Sequence, residues 1–334
     1  MFEPQISVVM PAYNAEKYLT EAIDSILSQT FSNFEFIIIN DASTDSTKQI
    51  IEFYNDPRIK LINNEQNKGV AKSLNIGISF ARGKYIARMD SDDIAMPTRL
   101  QTQFDFMEKH PNIDICGSWV QTFGAKTKII RVPRKHVDIK DLNFFSCAML
   151  HPTIIFKTNT KLQYLSDFPR AEDYDLWCRE INNLNFANIP EALLRYRIHK
   201  NQIGELNKLE QNNDADGIRI RNLKNIGIVL PEEEKMIYLR IINGVFIPKN
   251  KKDLNSAIEI LNIVSIEGTK FGYKKHFLKI IQNFIMNIAK KGFPDTGTFL
   301  RLYFTKFRRL KSFETTTAKL RYTYYLLRKI FFHV

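Results

Sequence analysis

The feature that most limits how this chain can fold is an alternation of strand and helix periodicities through its first third. ISVVMPAYN is a β-rich run ending in turn residues. Leu19, Ala22, Ile23, Ile26 and Leu27 then fall at the spacing of a helix with one apolar stripe. FEFIIIND follows as a buried strand, STDSTKQIIEFYN as a helix opened by Ser and Thr cap candidates, and RIKLINN as a third strand. After the helix NKGVAKSLNIGISFARG come the strand KYIARMD, the helix MPTRLQTQFDFMEKH with Pro97 suited to its first turn, and the strand IDICGSWVQTF. This order predicts an α/β fold, a mainly parallel sheet covered by helices on both faces. In such sheets ligands gather beyond the carboxyl ends of the strands. Tyr13 and Asn14 end the first strand, Asn40 and Asp41 end the second, and Asp90, Ser91, Asp92 and Asp93 end the fourth.

From Arg131 the rhythm breaks, and from Asn207 the pattern turns helical and rich in lysine. We therefore expect a catalytic α/β unit over residues 1–205 and a helical, basic extension over 206–334. A chain of 334 residues with 44% hydrophobic content can bury a core in each. Cys116, Cys147 and Cys178 lie far apart and form no CxxC pair, which fits reduced thiols. The amino terminus has no basic segment ahead of its first apolar run, and no apolar stretch reaches the roughly 18 residues of a spanning helix. These features predict a cytoplasmic protein.

Charge is divided unevenly. From Gly268 onward there are 15 lysines and arginines against two acids, Asp295 and Glu314, a net of +13, while the whole chain carries +12. Aromatic and aliphatic residues fill the gaps, as in FLRLYFTKFRRLKSF. Three readings are open: a surface for anionic lipid, a nucleic-acid patch with stacking aromatics, and an ordinary helical domain with a basic face. The many Leu and Ile favour lipid, hence a peripheral position on the cytoplasmic face of the inner membrane, with no nucleic-acid partner.

MDSDD carries the Asp-x-Asp spacing at a strand end, where hard cations such as Mg²⁺ or Mn²⁺ are commonly shared between carboxylates and substrate phosphates. The same acids could cap the following helix. In NDASTDST, Asp41 can accept from a nucleobase or ribose, or cap a helix. FPRAEDYDLWCRE sets Glu172 and Asp173 where a loop becomes a helix, a favourable place for acids in any protein. LLRYRIH ends an apolar run with Arg197 and His199.

Taken in order, ISVVMPAYNAEKYLTEAIDSILSQTF, IIINDASTDST, NKGVAKSLNIGISFARGKYIARMDSDD, LHPTIIFK, AEDYDLWCRE and LLRYRIH resemble the inverting family 2 glycosyltransferases of GT-A fold, over residues 4–200. The resemblance implies that Pro11, Ala12, Tyr13 and Asp41 line the nucleotide pocket, that Asp90 faces ribose or diphosphate, and that Asp92 holds the metal with His199. It implies Asp173 as catalytic base, with Glu172, Trp177 and His151 as candidates for sugar or acceptor contact. Lys72 and Ser73 stand where many relatives have Ala and Arg ahead of the Asn equivalent to Asn75. The donor implied is a nucleotide sugar, UDP by resemblance, and the acceptor a glycan or lipid-linked hydroxyl in surface-polysaccharide or lipopolysaccharide assembly. A sugar-nucleotidyltransferase is the nearest enzymatic alternative, but PAYNAEKYL lacks the glycines of its phosphate loop. A non-catalytic nucleic-acid-binding protein would use only the basic tail.

Overall fold

The computed structural model describes residues 3–199, 207–274, 277–281 and 283. The expected boundary at residue 205 and the basic run from 284 onward lie outside the described residues. The chain divides into two compact units, residues 1–222 and 223–334.

The first unit is built on β1 (Ile6–Ala12), β2 (Phe34–Asn40), β3 (Ile59–Asn63), β4 (Tyr85–Arg88), β5 (Ile94–Ala95), β6 (Ile115–Gly124), β7 (Ile129–Ile130), β8 (Ile155–Lys157) and β9 (Phe186–Ile198). Helices α1 (Leu19–Leu27), α2 (Thr47–Phe53), α3 (Val70–Phe80), α4 (Arg99–Lys109), α5 (His136–Asn143) and α6 (Glu172–Glu180) connect or cover them. Strand order is β3-β2-β1-β4-β8-β6-β9-β5, with β7 paired to β6. The first four strands are parallel, as the alternation implies. Beyond β4 the sheet is mixed: β8 inserts antiparallel between β4 and β6, while β9 runs parallel to β6 and antiparallel to β5.

Burial on both faces follows from the period of two. Ile6, Val8, Met10 and Ala12 of β1 enter one core with Ile23, Ile26, Phe36 and Ile38, whereas Val9 joins Ile37, Ile39, Leu74 and Ile86 in the other. Close approach of α3 to this second face needs a glycine. A Cβ at Gly77 would lie 2.7 Å from Ile39 Cδ1, and nearer still to Val9 Cγ1. At the amino-terminal end of the sheet, buried Glu35 accepts from Ser7 Oγ (2.6 Å), the Arg82 N–H (2.7 Å) and the Arg82 guanidinium (2.8 Å). These bonds hold its carboxyl below the usual range, against the burial that raises it.

Three further helices follow: α7 (Lys208–Asn225), α8 (Glu232–Ile242) and α9 (Lys251–Lys270). The Asn250 side chain caps α9 by accepting from the Asp253 N–H at 2.9 Å. Tyr238, Ile241, Leu254, Ile258, Leu261 and Val264 are buried in the second unit. No helix among the described residues is long and apolar enough to cross a membrane.

Candidate functional site

The carboxyl ends of β1, β2 and β4 deliver the expected residues to one rim, and local bonding explains how. Asn14 and Ala42, just past β1 and β2, both have positive φ, +48° and +58°, an uncommon and costly conformation for residues with a Cβ. The two turns are tied together: Asn14 Oδ1 accepts from the Thr44 N–H at 2.9 Å, and Asn14 N–H donates to Ser43 Oγ at 3.1 Å. Asp45 performs the same task, accepting from the Glu16 N–H at 3.1 Å and the Thr47 N–H at 3.0 Å. Ala12 is buried, Pro11 half-buried, and Tyr13 is 50% exposed with its ring offered to solvent.

Asp41 is buried and fully engaged. Its Oδ1 accepts from Asn64 Nδ2 (2.7 Å) and the Lys68 N–H (2.9 Å), and its Oδ2 from the Gly69 N–H (2.9 Å). It thus fixes the loop that precedes α3, where Gly69 takes φ +81°. Ser73 completes this knot by accepting from Asn64 Nδ2 at 3.1 Å.

Beyond β4, one carboxylate oxygen each from Asp90, Asp92 and Asp93 lies within 4.8 Å of the others. Asp92 Oδ2 meets His199 Nε2 at 3.0 Å, and His199 packs on Tyr18 with ring centroids 4.8 Å apart. Asp93 accepts from the Arg197 N–H at 2.8 Å through Oδ1, while its buried Oδ2 has no hydrogen-bond partner. Burial, then the Asp90 charge, pushes the Asp92 carboxyl up, and the Asp93 carboxyl goes further. Crowded acids with an orphaned oxygen are short of positive charge. An all-oxygen set with one imidazole beside it suits Mg²⁺ or Mn²⁺, so the residues present fit such a cation.

Arg88 is a residue of this centre that reading the sequence passes over, as is Tyr18. Arg88 is 4% exposed on β4, and its Nη1 donates to Asp90 Oδ2 at 2.6 Å, leaving its Nε without a partner. Its charge pulls down the carboxyls of Asp92, Asp93, Glu172 and Asp173 against the burial that raises all four. A cation interrupting the apolar run YIARM was the available signal, because an arginine in a buried strand needs an acid partner.

Glu172 and Asp173 open α6 within reach of the Arg88 charge. Asp173 accepts from the Tyr174 N–H at 2.7 Å and lies 3.6 Å from Cys147 Sγ. Burial raises the Asp173 carboxyl, and burial with the Asp173 charge raises that of Glu172 to about 8. Buried His151 binds Tyr164 Oη through Nε2 at 2.8 Å, with Nδ1 at 4.0 Å from Glu172. Burial and the Arg88 cation hold His151 neutral. Tyr164 is clamped in turn by Asn75, whose side chain donates to its carbonyl (2.8 Å) and accepts from its N–H (2.9 Å). Trp177 is 0% exposed, edge-on to Phe186 and His151, and presents no face to solvent.

Similarity to known proteins agrees with this layout. The family model described as glycosyl transferase family 2 matches residues 7–171. An uncharacterized glycosyltransferase of Haemophilus influenzae is 36% identical over 320 residues, which cover 85% of this chain and 98% of that protein. Escherichia coli WfgD is named a UDP-Glc:alpha-D-GlcNAc-diphosphoundecaprenol beta-1,3-glucosyltransferase. It is 30% identical over 210 residues, 62% of this chain and 81% of its own length. Among solved structures, S. aureus TarS 1–349 in complex with UDP-GlcNAc shares the fold with a TM-score of 0.53 at 18% identity, covering 87% of this chain and 93% of that one. The mannosyltransferase PcManGT of Pyrobaculum calidifontis, in complex with GDP-Man and Mn²⁺, superposes with a TM-score of 0.51 at 16% identity, over 87% of each chain. With a relative aligned along nearly its whole length and a family match spanning the strand-end acids, the chain belongs to glycosyl transferase family 2 and is a glycosyltransferase.

Proposed function

We propose that this enzyme moves a sugar from a nucleoside diphosphate donor, UDP for preference, to a hydroxyl of a glycan or lipid-linked acceptor, with inversion at the anomeric carbon. The observation that carries the reading is the gathering of two acid sets within the influence of one buried cation: Arg88 binds Asp90 of the Asp90, Asp92 and Asp93 cluster, and its charge also lowers Glu172 and Asp173. A divalent cation, Mn²⁺ or Mg²⁺, would supply charge neutralisation to the departing diphosphate. Asp92 with His199 would hold it, Asp93 Oδ2 being a further free donor, and Asp90 would face ribose or diphosphate. Pro11, Ala12 and Tyr13 would wall the base, with Asp41 acting through the loop it secures. Asp173 would take the proton from the acceptor hydroxyl during in-line attack, favoured by the burial that raises its carboxyl above its ordinary range. Glu172 and His151 would shape the acceptor side. One displacement from an α-linked donor gives a β-linkage. Domain division near residue 205, and docking of the basic carboxy-terminal run on anionic lipid at the cytoplasmic face, are supported by composition.

The direct test is a panel of UDP, GDP and dTDP sugars, followed by thermal shift and by nucleotide release with Mn²⁺ present. Stabilisation by one nucleotide class, lost with EDTA, is the expected outcome. A chain indifferent to every nucleotide sugar, with or without metal, would overturn the reading.

A further inference from the structure

Between Asp114 and Asp138 the chain carries no acid, yet it places Lys126, Lys128, Arg131, Arg134 and Lys135 there. All five side chains are exposed, and none has a carboxylate partner among the described residues. Several other guanidinium groups of this unit are paired, Arg58 with Asp56, Arg82 with Glu35 and Arg179 with Asp175, while exposed Arg170 stands singly rather than in a run. A strip of one sign repels itself unless something anionic lies on it.

The strip begins at the candidate site. Strands β6 and β9 pair up to Gly124 and Ile198, the Ala125 N–H reaches the Ile198 carbonyl at 3.3 Å, and the next residue is His199, bound to Asp92. Thr122 pins the turn that follows: its Oγ1 donates to the Lys126 carbonyl at 2.8 Å and accepts from the Lys128 N–H at 2.9 Å. Lys126 and Lys128 therefore stand on an ordered support. Farther along, two guanidinium groups are stacked on rings, Arg131 over Trp119 at 5.4 Å and Arg195 over Phe123 at 4.5 Å. Trp119, Gln121 and Phe123 are half-buried while Val120 and Thr122 are buried, so both rings share one face of β6. Stacking fixes the plane of a guanidinium and leaves its N–H edge free, the arrangement suited to bidentate binding of phosphate. Arg195, like the five, has no carboxylate partner among the described residues.

We propose that this face of β6 and β7 binds the diphosphate of a lipid-linked acceptor, with Arg131 and Arg195 as phosphate forks and Lys126 and Lys128 adding point charge. The proposal rests on the transferase reading above and deepens it, by naming the acceptor group that is recognised and the residues that recognise it. An acceptor sugar joined to lipid through a diphosphate carries its reacting hydroxyl one ring away from that charge. A cationic strip that starts beside the acid cluster and leads away from it matches such a molecule end to end.

The test uses the full chain and titration calorimetry with dodecyl diphosphate below its micelle concentration, run with and without saturating UDP and Mn²⁺ so that donor-site binding is separated. The variant R131Q/R195Q should weaken the dodecyl diphosphate site that persists under saturating UDP by about tenfold or more, as expected for loss of two charge-assisted contacts, and leave UDP affinity unchanged. K126Q/K128Q should weaken it less. Three results would overturn the proposal: equal binding by R131Q/R195Q, a parallel loss on phosphatidylglycerol vesicles with no preference for the diphosphate, or aggregation of the variants with unaltered binding by the soluble fraction, which would make the cations guards of a sheet edge. Absence of UDP binding in the parent protein strikes the donor reading, and the UDP-free titration still decides the strip.

Discussion

Glu172 offers the most exacting check of the site's electrostatics. It begins α6, where the helix dipole favours an acid, yet it is 9% exposed and beside Asp173, with its nearest imidazole neutral. Burial wins, and the carboxyl moves from its ordinary 4.5 up to about 8. A carboxyl raised on folding holds its proton more tightly in the native state than in the unfolded chain. Its contribution is therefore intact below 4.5 and declines as pH climbs from 4.5 through about 8. At about 1.4 kcal/mol per tenfold change in proton affinity, ionising Glu172 costs the folded protein at most about 5 kcal/mol. Repulsion shared with Asp173 belongs to both acids, so the part removable at Glu172 alone is about 2–4 kcal/mol. Glu172→Gln is a permanently neutral isostere. Urea denaturation of both proteins at about pH 4 and about pH 9 should give nearly equal stability at the lower value and a variant more stable by about 2–4 kcal/mol at the higher. A difference that does not change with pH, or that favours the parent as pH rises, would refute the reasoning.

Asp173→Asn should lower turnover by about 10²-fold or more while UDP affinity stays within about twofold, measured by nucleotide release and calorimetry. Chelation with EDTA should abolish transfer, and Mn²⁺ should restore it, whereas Asp92→Asn should need a higher Mn²⁺ concentration for half-maximal rate. Asp41→Ala strands the Lys68 and Gly69 N–H groups and should cost about 2–3 kcal/mol in urea denaturation, together with weaker nucleotide binding. Gly77→Ala forces a methyl against Val9 and Ile39 and should cost about 1–3 kcal/mol with little effect on affinity for the donor.

How much of this was legible beforehand depended on whether a feature is local. The parallel half of the sheet, and the gathering of the β1 tip with the acids at the tips of β2 and β4, follow from hydrophobic period and from the rule placing ligands at strand ends. β7 and β8, two and three residues long, carry too little sequence to show a period, so the mixed half of the sheet emerges only from pairing. Arg88 looks like a stray charge until β8 pairs alongside β4 and Asp90 turns back to meet it. Trp177 sits beside two catalytic candidates in sequence, but helical geometry turns it inward with Leu176, both fully buried. The Asn75 amide is spent on the backbone of Tyr164, a residue 89 positions away that no local pattern connects to it.

That last clamp has a mechanical consequence. Helix α3 is anchored at its start through Gly69, which Asp41 grips, and midway through Asn75, which grips Tyr164 and through it His151 beside Glu172. A continuous helix of 11 residues, about 16 Å long, behaves as a stiff rod, so its two anchors cannot shift independently. If the proposed roles hold, occupancy of the nucleotide pocket and the posture of the acceptor wall would be geared to each other, and by reciprocity whatever steadies the second would tighten the first.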